Sequence, residues 1–355
     1  MNAIRNVSII LGTRPQILKS QPLINSLINH DFKLSIIHTG QHYDYKLSQS
    51  FFSDLKIKNP TVNLGIGNGT QLKQISRIIT KLEDFFVKKK SDLVIIPGDT
   101  TSAIAGSIAA SKCKIKIAHL EAGARSNQFY MSEEINRRMI DHSSNFLFAP
   151  TQNCLKNLKK ESVFGEVFFT GDTMFDLFAE FNKKFNWINS GKSSDNKKFL
   201  LTLHRAENIE NKNNFEKIIK FINSMTRQGI EVIFPVHPHT KKKIEEFKIK
   251  NKIQLVNPMS YFDLMRIMSE CSLVITDSGG LQKEAYWMEK PCITLRESTE
   301  WVETIQEKAN FLFPLSKPLS LKKAIRISKI KIKSKPKLFG NGKASLNIIK
   351  ILSKL

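Results

Sequence analysis

The chain reads as an α/β protein built on two open, parallel sheets, and three observations lead there. Its 355 residues exceed one ordinary core, since roughly 100–200 residues make a domain. Short apolar runs alternate with longer amphipathic stretches along the whole chain, which is the pattern of strands and helices wound around parallel sheets. Those runs fall into two sets, separated by a polar stretch at 181–198.

In the first set the expected strands are 7–11, 34–38, 93–97, 115–120 and 146–149; in the second they are 199–203, 232–236, 253–256, 273–276 and 292–295. The stretch between them contains Ser-Gly-Lys-Ser-Ser-Asp-Asn and no sustained apolar period, so it is expected to be a linker. Residues 1–180 then form a first lobe, 197–340 a second, and 341–355 a terminal helix packed back on the first. Leu346, Ile349 and Leu352 have helical spacing there. No period of 20 to 50 residues is visible, which excludes a solenoid.

Composition narrows the function class. The chain is 41% hydrophobic and 25% charged, as in soluble globular proteins. Lysine and arginine exceed aspartate and glutamate by 55 to 32, a formal +23 that draws anions from a distance. This excess is spread over segments such as 241–252 and 322–337 and is not gathered with aromatics, so a nucleic-acid partner is not expected. No apolar run approaches the roughly 20 residues of a spanning helix, so no membrane partner is expected either. Cys113, Cys154, Cys271 and Cys292 lack any paired metal spacing, and no cleavable apolar segment precedes Gly12, which points to the reducing cytoplasm.

Ligands of open α/β sheets bind at the carboxyl ends of the strands, so the residues following each run matter most. In the first lobe these are Gly12-Thr13-Arg14-Pro15, Thr39-Gly40-Gln41-His42, Gly98-Asp99-Thr100 and Glu121-Ala122-Gly123-Ala124-Arg125. In the second they are His204-Arg205-Ala206-Glu207-Asn208, His237, and Asp277-Ser278-Gly279-Gly280. Any one of these also reads as a turn with a helix cap; seven together predict one cleft between two facing Rossmann-like sheets.

Ser278, Gly279 and Gly280 open a helix after a strand, where backbone N–H groups and the helix dipole make a seat for a diphosphate. Glu284, one turn on, can accept two hydroxyl hydrogen bonds from a ribose. Arg14 and His204 complete the phosphate clamp, His204 being able to donate a proton to a departing diphosphate. Asp99, Glu121 and Glu133 are candidate general acids and bases. Further candidate ligand contacts are Lys19, Gln41, His42, Arg137, Arg205, Glu207, His237, Asp277 and Arg296, while His119 reads as a satisfied core residue. The histidines show no His-Glu-x-x-His or comparable ligand spacing, and no Gly-x-Gly-x-x-Gly follows the first strand. Neither a metal nor a dinucleotide cofactor is expected.

These motifs, with His119, Glu133-Glu134-Ile135-Asn136-Arg137, Pro235-Val236-His237 and Gly340-Asn341-Gly342-Lys343-Ala344, resemble the non-hydrolysing UDP-N-acetylglucosamine 2-epimerases over nearly the whole chain. That resemblance implies the two-lobed glycosyltransferase-B type of fold, a UDP-sugar substrate, no cofactor and a homodimer. It further implies catalytic roles for Asp99, Glu121 and Glu133, and UDP contacts at Arg14, His204, Ser278, Gly279, Gly280 and Glu284. Gln16, Ser132, Lys283 and Trp301 depart from the common pattern. Gln16, Lys283 and the segment 299–303 look like the branch acting on UDP-2,3-diacetamido-2,3-dideoxyglucuronate, and the gain of positive charge suits a substrate with an extra carboxylate. A UDP-sugar-dependent glycosyltransferase of the same fold is the alternative enzyme, and a non-catalytic binder of nucleotide sugars or polyanions the alternative outside enzymes.

Overall fold

The computed structural model describes residues 4–41, 55, 57–190, 197–249 and 253–355. The chain divides into two compact units, Met1–Glu180 with Pro336–Leu355, and Phe181–Lys335.

The first unit carries a parallel sheet of β1 (Asn6–Leu11), β2 (Lys33–His38), β3 (Val62–Asn63), β4 (Leu93–Pro97), β5 (Lys116–Leu120), β6 (Phe146–Ala149) and β7 (Glu166–Phe169), in the order β3-β2-β1-β4-β5-β6-β7. Ile9, Ile10, Ile36, Ile37, Ile95 and Ile96 are wholly buried, as strands covered on both faces must be. The helix Thr101–Lys112 is almost all small residues, with Ala103, Ala105 and Ala110 buried, so it lies close on the sheet; Thr100 caps it by accepting from the Ala103 amide at 3.2 Å.

The second unit repeats the plan. Its parallel strands β8 (Lys198–Thr202), β9 (Glu231–Pro235), β10 (Gln254–Val256), β11 (Leu273–Thr276), β12 (Cys292–Thr294) and β13 (Asn310–Leu312) run in the order β10-β9-β8-β11-β12-β13. Phe199, Leu201, Phe215, Ile218, Phe234 and Ile275 are among its core residues.

In each unit the strand order reverses direction once, between β1 and β4 and between β8 and β11, and such a switch point opens a crevice at the carboxyl edge. One buried side chain ties the two strand tips together in each case. Gln16 accepts from the Gly12 amide at 2.8 Å and donates to the Pro97 carbonyl at 2.8 Å. Asp277 accepts from the amides of His204 and Arg205 at 2.9 and 3.1 Å and from Asn208 Nδ2 at 2.9 Å.

Three expectations need correction. The proposed linker begins with structure: Phe181 and Phe185 end the helix Thr173–Phe185, Trp187 opens Trp187–Ser190, and their rings pack on Tyr261 and Phe262, Phe181 lying 4.7 Å from Phe262. Aromatics four apart among lysines and asparagines carry too weak a period to stand out, yet they anchor residues 181–190 in the second unit. The chain returns to the first unit at Pro336 and not at residue 341; Phe339 is wholly buried there and its carbonyl accepts from the Asp172 amide at 2.8 Å. The terminal helix Ala344–Leu352 packs on the helix Arg14–Asn29, but Leu346 faces outward and Ile348 takes the inner place. Strands β3, β7 and β13 were not foreseen. All three are sheet edges, where one flank is open and no continuous apolar run is required.

Candidate active site

β4 and β5 are neighbours in register, Pro97 opposite Leu120, and the Gly98 amide donates to the Leu120 carbonyl at 3.0 Å. Asp99 and Glu121 therefore leave the sheet at adjacent strand tips. Gly98 has φ +68° and Glu121 φ +64°, left-handed values that cost a residue other than glycine roughly 1–2 kcal/mol. A side chain at Gly98 would also place its Cβ 3.0 Å from Lys19 Nζ and 3.6 Å from Glu121 Oε2. Lys19 and Glu121 form an ion pair that fills that space.

Asp99 is anchored at two points. Its carboxylate pairs with Arg137 Nη2 at 2.5 Å, and its carbonyl accepts from Asn136 Nδ2 at 2.8 Å. Both partners come from the helix Ser132–Ser143, whose polar stripe continues to Asp141. Glu134, wholly buried, takes Arg137 at 3.4 Å, Arg138 at 3.1 Å and the Ser126 amide at 2.8 Å. Glu133 stands half-buried in the first turn of the same helix. Gln41 accepts from the Ser102 amide and hydroxyl at 3.1 and 2.6 Å, which ties the tip of β2 to the helix after β4. Arg14, half-buried, is the first residue of the helix Arg14–Asn29. His42 lies outside the described residues.

In the second unit, Ser278 caps the helix Gly279–Trp287 by accepting from the Leu281 amide at 3.4 Å. No acidic side chain occupies the first turn of that helix, so its amides and dipole present a positive end. A Cβ at Gly279 would come within 2.7 Å of Glu300 Oε1, so a larger residue there would have to push the Glu300 carboxylate aside. Glu284 is buried and not on a solvated face. Beside it the Tyr261 phenol is held protonated well above its usual range, first by burial and then by the Glu284 charge.

His204 is exposed at the tip of β8, while Arg205 donates to the Asp277 carbonyl at 3.0 Å and lies 3.9 Å from Glu207. The Asp277 carboxylate itself is engaged with the backbone, so it shapes the site from behind. His237 is exposed and caps the helix Pro238–Glu246 through the His239 amide, 3.3 Å away. Arg296 is buried and pairs with Glu300 at 2.8 Å. Lys283 is buried too, its ammonium 4.0 Å from the Trp301 ring centroid and 5.8 Å from that of Trp287.

The structure thus joins Lys19 to Glu121 and Asp99 to Arg137 in the first unit, and Arg205 to Asp277 in the second. Sequence reasoning missed Ser102, which looks like one more small residue in Thr101–Lys112, and Tyr261, which looks like core. A cavity of ≈ 360 Å³ opens at the amino ends of β1 and β2, among Lys33, Lys58, Lys89 and Lys90. It is at the opposite edge of the sheet from Asp99 and Glu121 at the strand tips.

Comparison with known proteins accords with this geometry. Residues 26–353 match the model of the family described as UDP-N-acetylglucosamine 2-epimerase. A UDP-N-acetylglucosamine 2-epimerase homolog of Methanococcus maripaludis is 41% identical, covering 98% of this chain and 99% of that one. The UDP-2,3-diacetamido-2,3-dideoxy-D-glucuronate 2-epimerase of Pseudomonas aeruginosa is 37% identical over 98% of this chain and 99% of its own. Among solved structures, the Methanocaldococcus jannaschii UDP-GlcNAc 2-epimerase in complex with UDP-GlcNAc and UDP superposes with a TM-score of 0.88 at 38% identity, covering 99% of this chain and 100% of that one. Two Rossmann-like units, a helix N-terminus without acids in one, a pair of anchored carboxylates in the other and these end-to-end matches lead to one conclusion: the chain belongs to the UDP-N-acetylglucosamine 2-epimerase family.

Proposed function

We propose that this enzyme interconverts UDP-N-acetylglucosamine and UDP-N-acetylmannosamine by inverting carbon 2 without net release of UDP. The observation that carries the reading is the placement of Asp99 and Glu121 at adjacent strand tips, each fixed by a cation. In the forward half, the C2–H bond breaks as a carboxylate takes the proton, the C1–O bond breaks as UDP departs, and a C1–C2 double bond forms. In the return half, the UDP oxygen adds back to C1 while a proton reaches C2 on the opposite face. The C2 hydrogen is not acidic until charge develops at C1, so base and diphosphate clamp must act together.

Asp99, Glu121 and Glu133 are the proton carriers in this proposal. Arg14 and His204 hold the diphosphate, with Ser278, Gly279 and Gly280 supplying backbone donors and Glu284 taking the ribose hydroxyls. Lys19, Gln41, Arg137, Arg205, Glu207 and Arg296 orient these groups or the sugar. The 37% identity to the UDP-2,3-diacetamido-2,3-dideoxy-D-glucuronate 2-epimerase of Pseudomonas aeruginosa supports a second reading, the same inversion on that sugar nucleotide.

Incubation with a UDP-sugar in heavy water tests the reaction. Deuterium should enter C2 with no acceptor present; consumption of the UDP-sugar only when an acceptor is added, with no label at C2, would instead establish a transferase, and UDP accumulating with free sugar a hydrolase. Asp99→Asn and Glu121→Gln should abolish exchange and leave UDP binding measurable, whereas wild-type exchange in both would overturn their assignment.

We further propose that the enzyme is a cytoplasmic homodimer serving surface-polysaccharide or glycan precursor synthesis. Four free cysteines suit a reducing compartment. Phe129, Tyr130, Ile135 and Met139 lie exposed on and just before the helix Ser132–Ser143, a surface that a second copy would cover. Sedimentation of Ile135→Glu against the unsubstituted protein decides whether that surface holds the dimer.

A further inference from the structure

His119, wholly buried on β5, is engaged at both ring nitrogens: Nδ1 lies 2.6 Å from Asp141 Oδ1 and Nε2 lies 2.9 Å from the Gly98 carbonyl. A carbonyl oxygen only accepts, so Nε2 carries a hydrogen. Asp141 Oδ2 already accepts from Arg125 Nη2 at 2.6 Å and from the Gly123 amide at 3.1 Å, leaving Oδ1 for the histidine. The remaining proton lies on the line between Nδ1 and Oδ1. Asp141 meets the Arg125 guanidinium and the Gly123 amide with its other oxygen, as an ionised carboxylate does, which leaves that proton to the ring.

We propose that His119 is a buried imidazolium that positions Asp99, through the Gly98 carbonyl on one side and a closed ring of charges on the other. The ring runs from His119 to Asp141 and Arg125, to Glu161 at 2.7 Å, to Arg138 at 2.7 Å, to Glu134 at 3.1 Å, to Arg137 at 3.4 Å, and to Asp99 at 2.5 Å, the residue bonded to Gly98. Its carboxylates are Asp99, Glu134, Asp141 and Glu161, and its guanidinium groups are Arg125, Arg137 and Arg138. Four negative charges meet three positive ones, and a charged His119 makes the count even. Of the neighbouring charges, Lys19 and Glu121 neutralise each other, and His142, half-exposed, reaches Glu161 only at 3.8 Å.

The arrangement has a purpose if Asp99 handles the C2 proton, so this inference rests on the function proposed above. A carboxylate that must meet one C–H bond in one direction gains from being fixed at backbone and side chain alike. His119 touches no substrate; it is a positioning residue.

Nitrogen-15 spectra of the full-length protein labelled at histidine provide the test. At pH 7.5, one of the histidines should show both ring nitrogens protonated, with N–H protons that exchange slowly, and this signal should vanish in His119→Gln. A single protonated ring nitrogen at His119 overturns the proposal, and the spectrum of the unsubstituted protein gives that answer whether or not the variant folds. In kinetics, His119→Gln and Asp141→Asn should lower kcat for C2 exchange about 10- to 100-fold, with KM and UDP affinity changed less than about twofold. A folded His119→Gln enzyme with wild-type kcat refutes the positioning role; a fall in KM-dependent rate alone points to UDP binding and refutes it equally. An unsubstituted enzyme that exchanges no C2 hydrogen would remove the functional reading and leave the protonation result intact.

Discussion

Asp277→Asn gives the sharpest test of how the second unit builds its site. One carboxylate oxygen accepts from the His204 amide and the other from the Arg205 amide and Asn208 Nδ2, all within 3.1 Å. Asparagine offers one acceptor oxygen and one NH₂ in their place. Whichever way the amide turns, at least one donor faces another donor, and the surviving bonds lose the help of the charge. Leaving a buried donor unmet costs about 1–3 kcal/mol, and a charged bond weakened to a neutral one costs about 1 kcal/mol more for each. The expected total, with one bond lost and two weakened, is about 3–5 kcal/mol. All three tryptophans, Trp187, Trp287 and Trp301, lie within Phe181–Lys335, so their fluorescence follows the unfolding of this unit. With a slope of about 2 kcal/mol per molar urea, the midpoint should fall by about 1.5–2.5 M. UDP affinity should fall with it, because His204 and Arg205 lose their backbone tether. A midpoint shift under about 0.5 M would show that the tips of β8 and β11 are held by the ladder alone, and the strap argument would fail.

In the first unit, Gly98→Ala should cost about 1–2 kcal/mol from its left-handed φ alone. It should also slow C2 exchange, since the new methyl displaces an ammonium engaged with Glu121; thermal melting and deuterium incorporation read the two effects. Acid should destabilise this unit: burial opposes it, but His119 and Arg125 depress the Asp141 pKa, and Arg125 does the same at Glu161. Folded values below the unfolded ones mean that the stabilisation is full above pH ~4.5 and is lost as pH falls through the folded values. Circular dichroism at decreasing pH should show this loss, and Asp141→Asn should flatten it. Lys283→Met should leave the ratio of kcat/KM for the neutral and uronate sugars within about threefold, because an ammonium 4 Å from a substrate carboxylate would carry about 4 kcal/mol at an effective dielectric of 20 and shift that ratio about a thousandfold.

What the sequence discloses follows burial. Central strands are covered on both faces and appear as unbroken apolar runs, so β1, β4, β5, β8 and β11 are legible within a residue or two. Edge strands β3, β7 and β13 need no such run and are silent. Strand-tip polar residues announce themselves against apolar neighbours, which is why Asp99, Glu121, His204 and Ser278 can be picked out. Their partners cannot: Lys19 and Glu121 are 102 residues apart, and Gln16 reaches Pro97 across 81. Asp141 is visible only as part of a polar stripe, with nothing to say that its oxygens meet His119 and Arg125. Pairings of this kind are set by tertiary packing, which a single chain's pattern does not encode.

Packing also changes what the unusual residues mean. Read as letters, Gln16 and Lys283 each move the local charge toward positive, and a receptor for a second substrate carboxylate is a natural inference. In the structure Gln16 is buried with its carbonyl on the Gly12 amide and its amide on the Pro97 carbonyl, so its neutrality is what lets one side chain both accept and donate. A glutamate there, unless protonated, would lose the bond to Pro97. Lys283 is buried with its ammonium against the face of Trp301, a desolvated cation–π contact worth about 2 kcal/mol. Lysine and tryptophan are therefore one change, in which each makes room for the other beneath the segment that follows β12. Arg296 in that segment answers to Glu300, so its charge too is met within the unit. Gln16, Lys283, Trp301 and Arg296 are thus all engaged by internal contacts. If the enzyme does prefer the uronate, the cation that meets its carboxylate has to be sought among the exposed residues at the strand tips.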